Sequence, residues 1–198
     1  MKRFFLSMAV MLITVCVCAN KPDFGYLFSY VNGRGLAFAY SSDNKSWTSI
    51  GNGRTFVDSD FGTWGAEKKM TRPFLLRDSE GMWRCVWSPN ENNPQFAHCT
   101  SPDLINWKPQ DYPYIAGGSC KLPVLYKDNG KWVVEYSTND GKTYRTTSAD
   151  FKKWDKGTAI SSKKECEEVK IRLNGREVSG QVHRVEWAQI DKLIKRDD

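Results

Sequence analysis

The chain has 198 residues, of which 40% are hydrophobic and 26% charged, ordinary proportions for a globular protein of one or two domains. Its formal charge of +6 is spread along the chain in clusters no longer than pairs such as Lys68-Lys69 and Lys163-Lys164, which argues against a nucleic-acid partner. Only two histidines, His98 and His183, and no Cys-x-x-Cys argue against a zinc site, so no metal or other cofactor is expected.

The first element is a targeting segment. Lys2 and Arg3 precede the uncharged apolar run Phe4–Val17, and the small residues Val17 and Ala19 suit cleavage after Ala19. This reads as a signal peptide over residues 1–19, too short to span a bilayer, and places the mature chain outside the cytoplasm, secreted or periplasmic. Cys16 and Cys18 leave lipid anchoring as the less favoured alternative. No other stretch is apolar enough to cross a membrane.

Residues 20–168 are organised by repetition. Ser41-Ser42-Asp43-Asn44-Lys45-Ser46-Trp47, Ser101-Pro102-Asp103-Leu104-Ile105-Asn106-Trp107 and Ser148-Ala149-Asp150-Phe151-Lys152-Lys153-Trp154 share the pattern Ser-x-Asp-x-x-x-Trp, with Trp-to-Trp spacings of 60 and 47 residues. Short strands precede each copy: 26–31 and 36–40, then 83–88 and 95–99, then 132–137 and 143–147. In the second and third units a further strand (73–77, 123–127) leads in through Asp78–Gly81 or Asp128–Gly130, and an Asp-x-Gly turn between alternating apolar runs signals a hairpin. The Ser and Asp side chains can bond nearby backbone N–H groups, which gives the motif a structural role in a compact turn. The pattern predicts an all-β fold, a partial β-propeller of about three four-stranded antiparallel blades.

Four cysteines follow the export segment: Cys85, Cys99, Cys120 and Cys166. Cys85 and Cys99 are symmetric about the turn 88–94 and can face each other, but four cysteines allow three pairings and the sequence does not choose. Residues 169–198 form a tail. Asn174-Gly175 predicts a hairpin between 169–172 and 176–179, and Trp187, Ile190, Leu193 and Ile194 predict a short amphipathic helix over 186–195, packed on the last sheet.

The turn after a strand, as in Cys99-Thr100-Ser101-Pro102-Asp103-Leu104-Ile105-Asn106-Trp107, resembles the blade signature of the five-bladed propeller glycosidases of glycoside hydrolase family 43, the arabinosidases and xylosidases. Arg72-Pro73-Phe74-Leu75-Leu76-Arg77-Asp78 with Gly81 resembles that family's Arg-Asp-Pro-x-Ile-Leu-Arg segment, and the tail Val182-His183-Arg184-Val185 with Trp187 resembles tails of its secreted members. The resemblance covers most of residues 24–195 and implies an inverting hydrolase in which paired carboxylates at the starts of inner strands act on plant polysaccharide. The implied positions depart from this: Arg72 stands in the carboxylate slot of Thr71-Arg72-Pro73, and Lys121-Leu122-Pro123-Val124 offers no acid. Arginine stays protonated and valine has no acid–base chemistry.

The remaining candidates for a catalytic carboxylate are Asp58, Asp60 and the mid-strand Glu135. Trp64, in the loop Gly62–Gly65, Arg72, His98 and Lys121 are candidates for binding sugar by stacking, charge or hydrogen bonding. Three readings follow: a glycosidase, a carbohydrate-binding relic with weakened or lost hydrolysis, or an interaction fragment whose open blade edges recruit a second copy or another partner.

Overall fold

Turn chemistry sets the hairpins. Asn129-Gly130 and Asn174-Gly175 each place two successive residues at positive φ (46° and 80°, 51° and 78°), as a two-residue hairpin turn requires. The computed structural model describes residues 22–196, so the export segment 1–19 lies outside the described residues. The strands are β1 (Phe24–Asn32), β2 (Gly35–Ser41), β3 (Thr48–Ser49), β4 (Thr55–Asp58), β5 (Met70–Arg77), β6 (Trp83–Pro89), β7 (Ala97–Ser101), β8 (Lys121–Asp128), β9 (Lys131–Ser137), β10 (Thr143–Ser148), β11 (Thr158–Ile160), β12 (Val169–Leu173) and β13 (Arg176–Glu186). One α-helix, α1 (Trp187–Lys195), follows among the described residues.

The strands form three antiparallel sheets, the blades of a partial propeller. The third, β11-β10-β9-β8, is the expected four-stranded blade. The second, β5-β6-β7, has its fourth place marked by two single bridges, Gln95 to Tyr114 and His98 to Asp111. The first runs β12-β13-β1-β2-β3, with β4 also paired to β2, and here the structure corrects the expectation for the tail. The hairpin β12–β13 joins the first sheet, with β13 paired to β1 from Phe24↔Glu186 to Tyr30↔Gly180, and helix α1 packs on this first sheet where the last was expected. Strand β13 runs on to Glu186 because both of its faces are used. Val178 and Val182 pack on Phe28, Tyr30 and Ile171, while Val185 enters the core between the first and second blades. The C-terminal strand thus supplies the inner strand of the first blade. Helix α1 caps that same core through the buried Ile190 and Leu193, and Gln189 Nε2 donates to the Asp103 carbonyl (2.6 Å).

Gly180 permits this closure. A Cβ there would meet the Ser29 carbonyl oxygen at 2.1 Å and the Phe28 ring at 2.8 Å. Backbone cannot yield as a flexible side chain does, so Gly180→Ala is expected to destabilise the fold by about 1–3 kcal/mol. A urea unfolding midpoint equal to wild type would show that the β1–β13 contact is looser than described.

The repeated motif builds the same turn three times. Ser Oγ donates to Asp Oδ1 at 2.8, 3.2 and 3.1 Å in successive copies. That oxygen accepts the backbone N–H groups two and three residues on: Lys45 and Ser46, Ile105 and Asn106, Lys152 and Lys153. The residue after Asp is left-handed each time, with φ of 59° at Asn44, 64° at Leu104 and 61° at Phe151. Leu104 and Phe151 are buried and plug the interface with the preceding blade, whereas Asn44 is exposed.

Ile171, Leu173 and Val178 of the tail hairpin extend the apolar outer face of the first blade, to which their strands belong. On the third blade, the segment 161–168 crosses back towards β12, and its Lys164 N–H donates to Glu135 Oε2 (2.6 Å).

Cys85 and Cys99 are register partners, as the symmetry about their turn suggests. His98 exchanges both backbone bonds with Asp111 (3.0 Å each), so its neighbour Cys99 turns its own N–H and C=O towards β6. Cys85↔Cys99 is therefore a hydrogen-bonded pair, whose Cα atoms stand about 5.5 Å apart, the wider of the two antiparallel spacings. All four described cysteines are free thiols, and Cys85, Cys99 and Cys120 are buried.

Candidate functional site

Two inner strands share one local irregularity. The register of β5 with β6 shifts between Thr71 and Phe74, and that of β8 with β9 shifts between Lys121 and Val124. Each bulge holds a left-handed residue directly before proline: Arg72 (φ 50°) before Pro73, and Leu122 (φ 49°) before Pro123. Proline lacks the ladder donor and is accommodated at a bulge on an edge strand. The residue before it normally stays extended, so a left-handed side chain there stores strain of about 1–3 kcal/mol. The equivalence of the bulges makes Leu122, not Val124, the counterpart of Arg72; Val124 is buried within β8. Strands β5 and β8 lie alongside each other, so both positions sit at the centre of the blade array.

Arg72 separates two clefts. One of about 240 Å³ opens between β1, β13 and β5 and includes Tyr30, Lys69, Thr71, Arg72, Glu168 and Gln181 in its lining. The other, of about 640 Å³, lies between the two bulges and the segment 161–168 and is lined by Arg72, Leu122, Lys163, Glu165, Cys166 and Glu168, among others. Arg72 Nη1 donates to Glu168 Oε2, and this hydrogen bond holds the guanidinium above its ordinary pKa. The pair is partly exposed, with 45% of the Arg72 side chain and 34% of the Glu168 side chain open to solvent. Across the smaller cleft, Gln181 Oε1 accepts the Leu75 N–H (2.8 Å) and fixes β13 against β5. The Thr71 hydroxyl, beside Arg72, is buried with no hydrogen-bond partner, so the bulge is not satisfied from within.

Of the residues singled out from sequence, Arg72 lines both clefts and Lys121 begins β8 one residue before the Leu122 bulge, as the register partner of Ser137. The others lie elsewhere. Glu135 is buried in β9, where Tyr126 Oη (2.5 Å), Arg145 Nη2 (3.1 Å) and the Lys164 N–H all donate to its carboxylate. Burial opposes its ionisation, but these donors outweigh it and hold its pKa below the ordinary value. A carboxylate so fully engaged anchors segment 161–168 and has no free oxygen for water activation. Asp60 accepts from Tyr112 Oη, and its N–H donates to Gln110 Oε1 (3.2 Å), in a surface cluster with the chain that follows β7. Asp58 pairs with Arg34 (3.3 Å). His98 is wedged between the second and third blades, its ring 4.9 Å from that of Phe151, and its Nε2 lies 3.2 Å from the Trp154 indole nitrogen. Trp64 projects into solvent from its loop, 72% exposed, and lines neither cleft.

Glu165 and Glu168 were not legible as site residues. They stand in the acidic run Glu165–Glu168, outside any repeat, and only the crossing of segment 161–168 over the inner strands brings them to Arg72. No cluster of three or more metal-ligating side chains occurs among the described residues.

No family model and no curated protein matches the sequence. Solved structures do match the fold. One is a glycoside hydrolase family 43 arabinoxylan arabinofuranohydrolase from Bacillus subtilis, solved with cellotetraose, at 13% identity and a TM-score of 0.51; the match covers 84% of this chain and 45% of that one. Another is an α-L-arabinofuranosidase from Clostridium thermocellum, at 14% identity and a TM-score of 0.50, covering 80% of this chain and 57% of that one. The chain thus spans about half the length of the solved structures it matches. The fold is a partial, divergent β-propeller of the glycoside hydrolase family 43 type.

Proposed function

We propose that this chain binds arabinose- or xylose-containing plant polysaccharide in the clefts beside the inner-strand bulges and does not hydrolyse it. One observation carries the reading: at the two equivalent left-handed positions on the inner strands stand Arg72 and Leu122, neither of which can activate water or protonate a leaving oxygen. An inverting glycosidase needs two carboxyl groups, one on each side of the scissile bond. Fold alone does not supply them. Binding is supported by the two clefts, by their mix of hydroxyl, amide and charged groups, and by the cellotetraose held by the arabinofuranohydrolase of similar fold. The Lys2–Ala19 segment supports export, which would bring the protein to such polymers.

Folded protein incubated with p-nitrophenyl arabinofuranoside and xyloside is expected to release no p-nitrophenol above buffer, while its migration is retarded in gels containing arabinoxylan or arabinan. A protein-dependent release rate would refute the loss of hydrolysis; unretarded migration in both gels would refute the binding.

A further inference from the structure

We infer that the ligand of this site is an acidic glycan, one carrying uronic-acid carboxylates, and that Glu168 is a displaceable counterion occupying its place on Arg72. The inference rests on the glycan-binding reading above and narrows it to a class of polymer.

The charge at the bulge is the starting point. A neutral sugar takes only hydrogen bonds from the guanidinium held at this strained backbone position, whereas a carboxylate ligand is matched by it in charge and in fork geometry as well. Arg72 gives Glu168 a single Nη1 bond, which leaves other N–H donors of its fork for a bidentate partner. The smaller cleft contains two cations, Lys69 and Arg72, and Glu168 is the one carboxylate in its lining. With Glu168 displaced, that cleft is cationic. The larger cleft is balanced, with Arg72 and Lys163 against Glu165 and Glu168.

Exchange is physically easy. An exposed ion pair is a weak restraint, and the Arg72–Glu168 pair is open to water on both sides. Glu168 lies at the end of an irregular segment, not in a strand, so it can turn away without breaking a sheet bond. The pair is the wall common to the two clefts, so its opening joins them and gives a chain-like ligand a continuous path past Arg72. A cleft of about 240 Å³ is below the usual range for drug-sized ligands and suits a single sugar unit.

The test is calorimetric binding of polygalacturonate and of neutral arabinan to the full mature chain at low and moderate salt. Polygalacturonate is expected to bind at least about tenfold more tightly than arabinan, with the difference shrinking as salt screens the contact. Arg72→Gln is expected to remove that preference, and Arg72→Lys to restore part of it. Glu168→Gln separates competition from architecture: losing the competing anion should raise polygalacturonate affinity about threefold, whereas a purely structural pair predicts a loss. Equal affinity for the two polymers, or weakening by Glu168→Gln, overturns the inference and leaves the glycan-binding reading intact. Absence of binding to either polymer overturns both.

Discussion

Phe151→Ala is expected to destabilise the protein by about 3–5 kcal/mol, the range for deleting a buried aromatic side chain from a core that cannot collapse around the gap. Phe151 is 4% exposed and fills the interface between the second and third blades. Its ring lies 5.4 Å from Trp132 and 5.5 Å from Trp154, and the Arg84 guanidinium sits 4.6 Å over it. Arg84 is itself fixed by Asp78 at 2.8 Å, so the cavity has rigid walls. Leu104→Ala, at the same motif position one blade earlier, should cost about 2–5 kcal/mol for the same reason. At Asn44 the equivalent side chain is exposed, and its replacement should do much less. Urea unfolding of the three variants checks the ranking. A Phe151→Ala loss below about 1 kcal/mol would mean that the motif does not join blades.

The second large effect is acid lability, and it follows from where the two histidines sit. His98 joins the second blade to the third, and His183 joins the first to the second, with its Nε2 3.0 Å from Ser29 Oγ and its ring edge-on to Trp83 at 5.6 Å. Burial lowers the pKa of each to about 4 from 6.5. For His98, Asp111 opposes the shift and Arg84 adds to it. Because the folded state favours neutral imidazole, stability is full above pH 6.5. As the pH falls from there to about 4, the unfolded chain takes up protons that the folded chain refuses. At 1.36 kcal/mol per pKa unit, His98 alone accounts for a loss of about 3 kcal/mol across that window. The Asp carboxylates of the turns act in a lower window. Backbone bonds from Lys153 and Lys152 lower Asp150 to about 2, so its contribution is present above its ordinary pKa of 3.8 and is lost only as the pH falls towards 2. His98→Gln keeps an acceptor for Trp154 without the titration, and is expected to remove about half of the fall in unfolding free energy between pH 6.5 and 4, the rest belonging to His183, while leaving the steeper fall below pH 4. An unchanged slope in that window would show that His98 is solvated.

The blade pattern was legible because local chemistry repeats locally. The three Ser-x-Asp-x-x-x-Trp copies each close their turn with bonds spanning at most three residues, and the Asn-Gly pairs carry their own hairpin signal. The partner of β13 was not legible. Tyr30 and Gly180 are 150 residues apart in sequence, and the alternation of Val178, Val182 and Val185 says that the strand is buried without saying against what. The site divided in the same way. Arg72 was visible as a departure from a known motif, but the left-handed backbone that makes Leu122 its counterpart depends on the bulge. His98 was a candidate for binding sugar by stacking or hydrogen bonding, and the mid-strand Glu135 was a candidate catalytic carboxylate. Each is instead a satisfied group that locks one part of the fold to another, His98 between blades and Glu135 to segment 161–168.

Isothermal titration of soluble arabinoxylan into the folded protein tests the central claim most directly, because one trace reads binding and turnover together. Binding without hydrolysis predicts a heat pulse at each injection that returns to baseline and diminishes to saturation. A baseline displaced for as long as substrate remains would show catalysis at a site that Arg72 and Leu122 cannot support, and a flat trace would show that the bulges hold no neutral glycan.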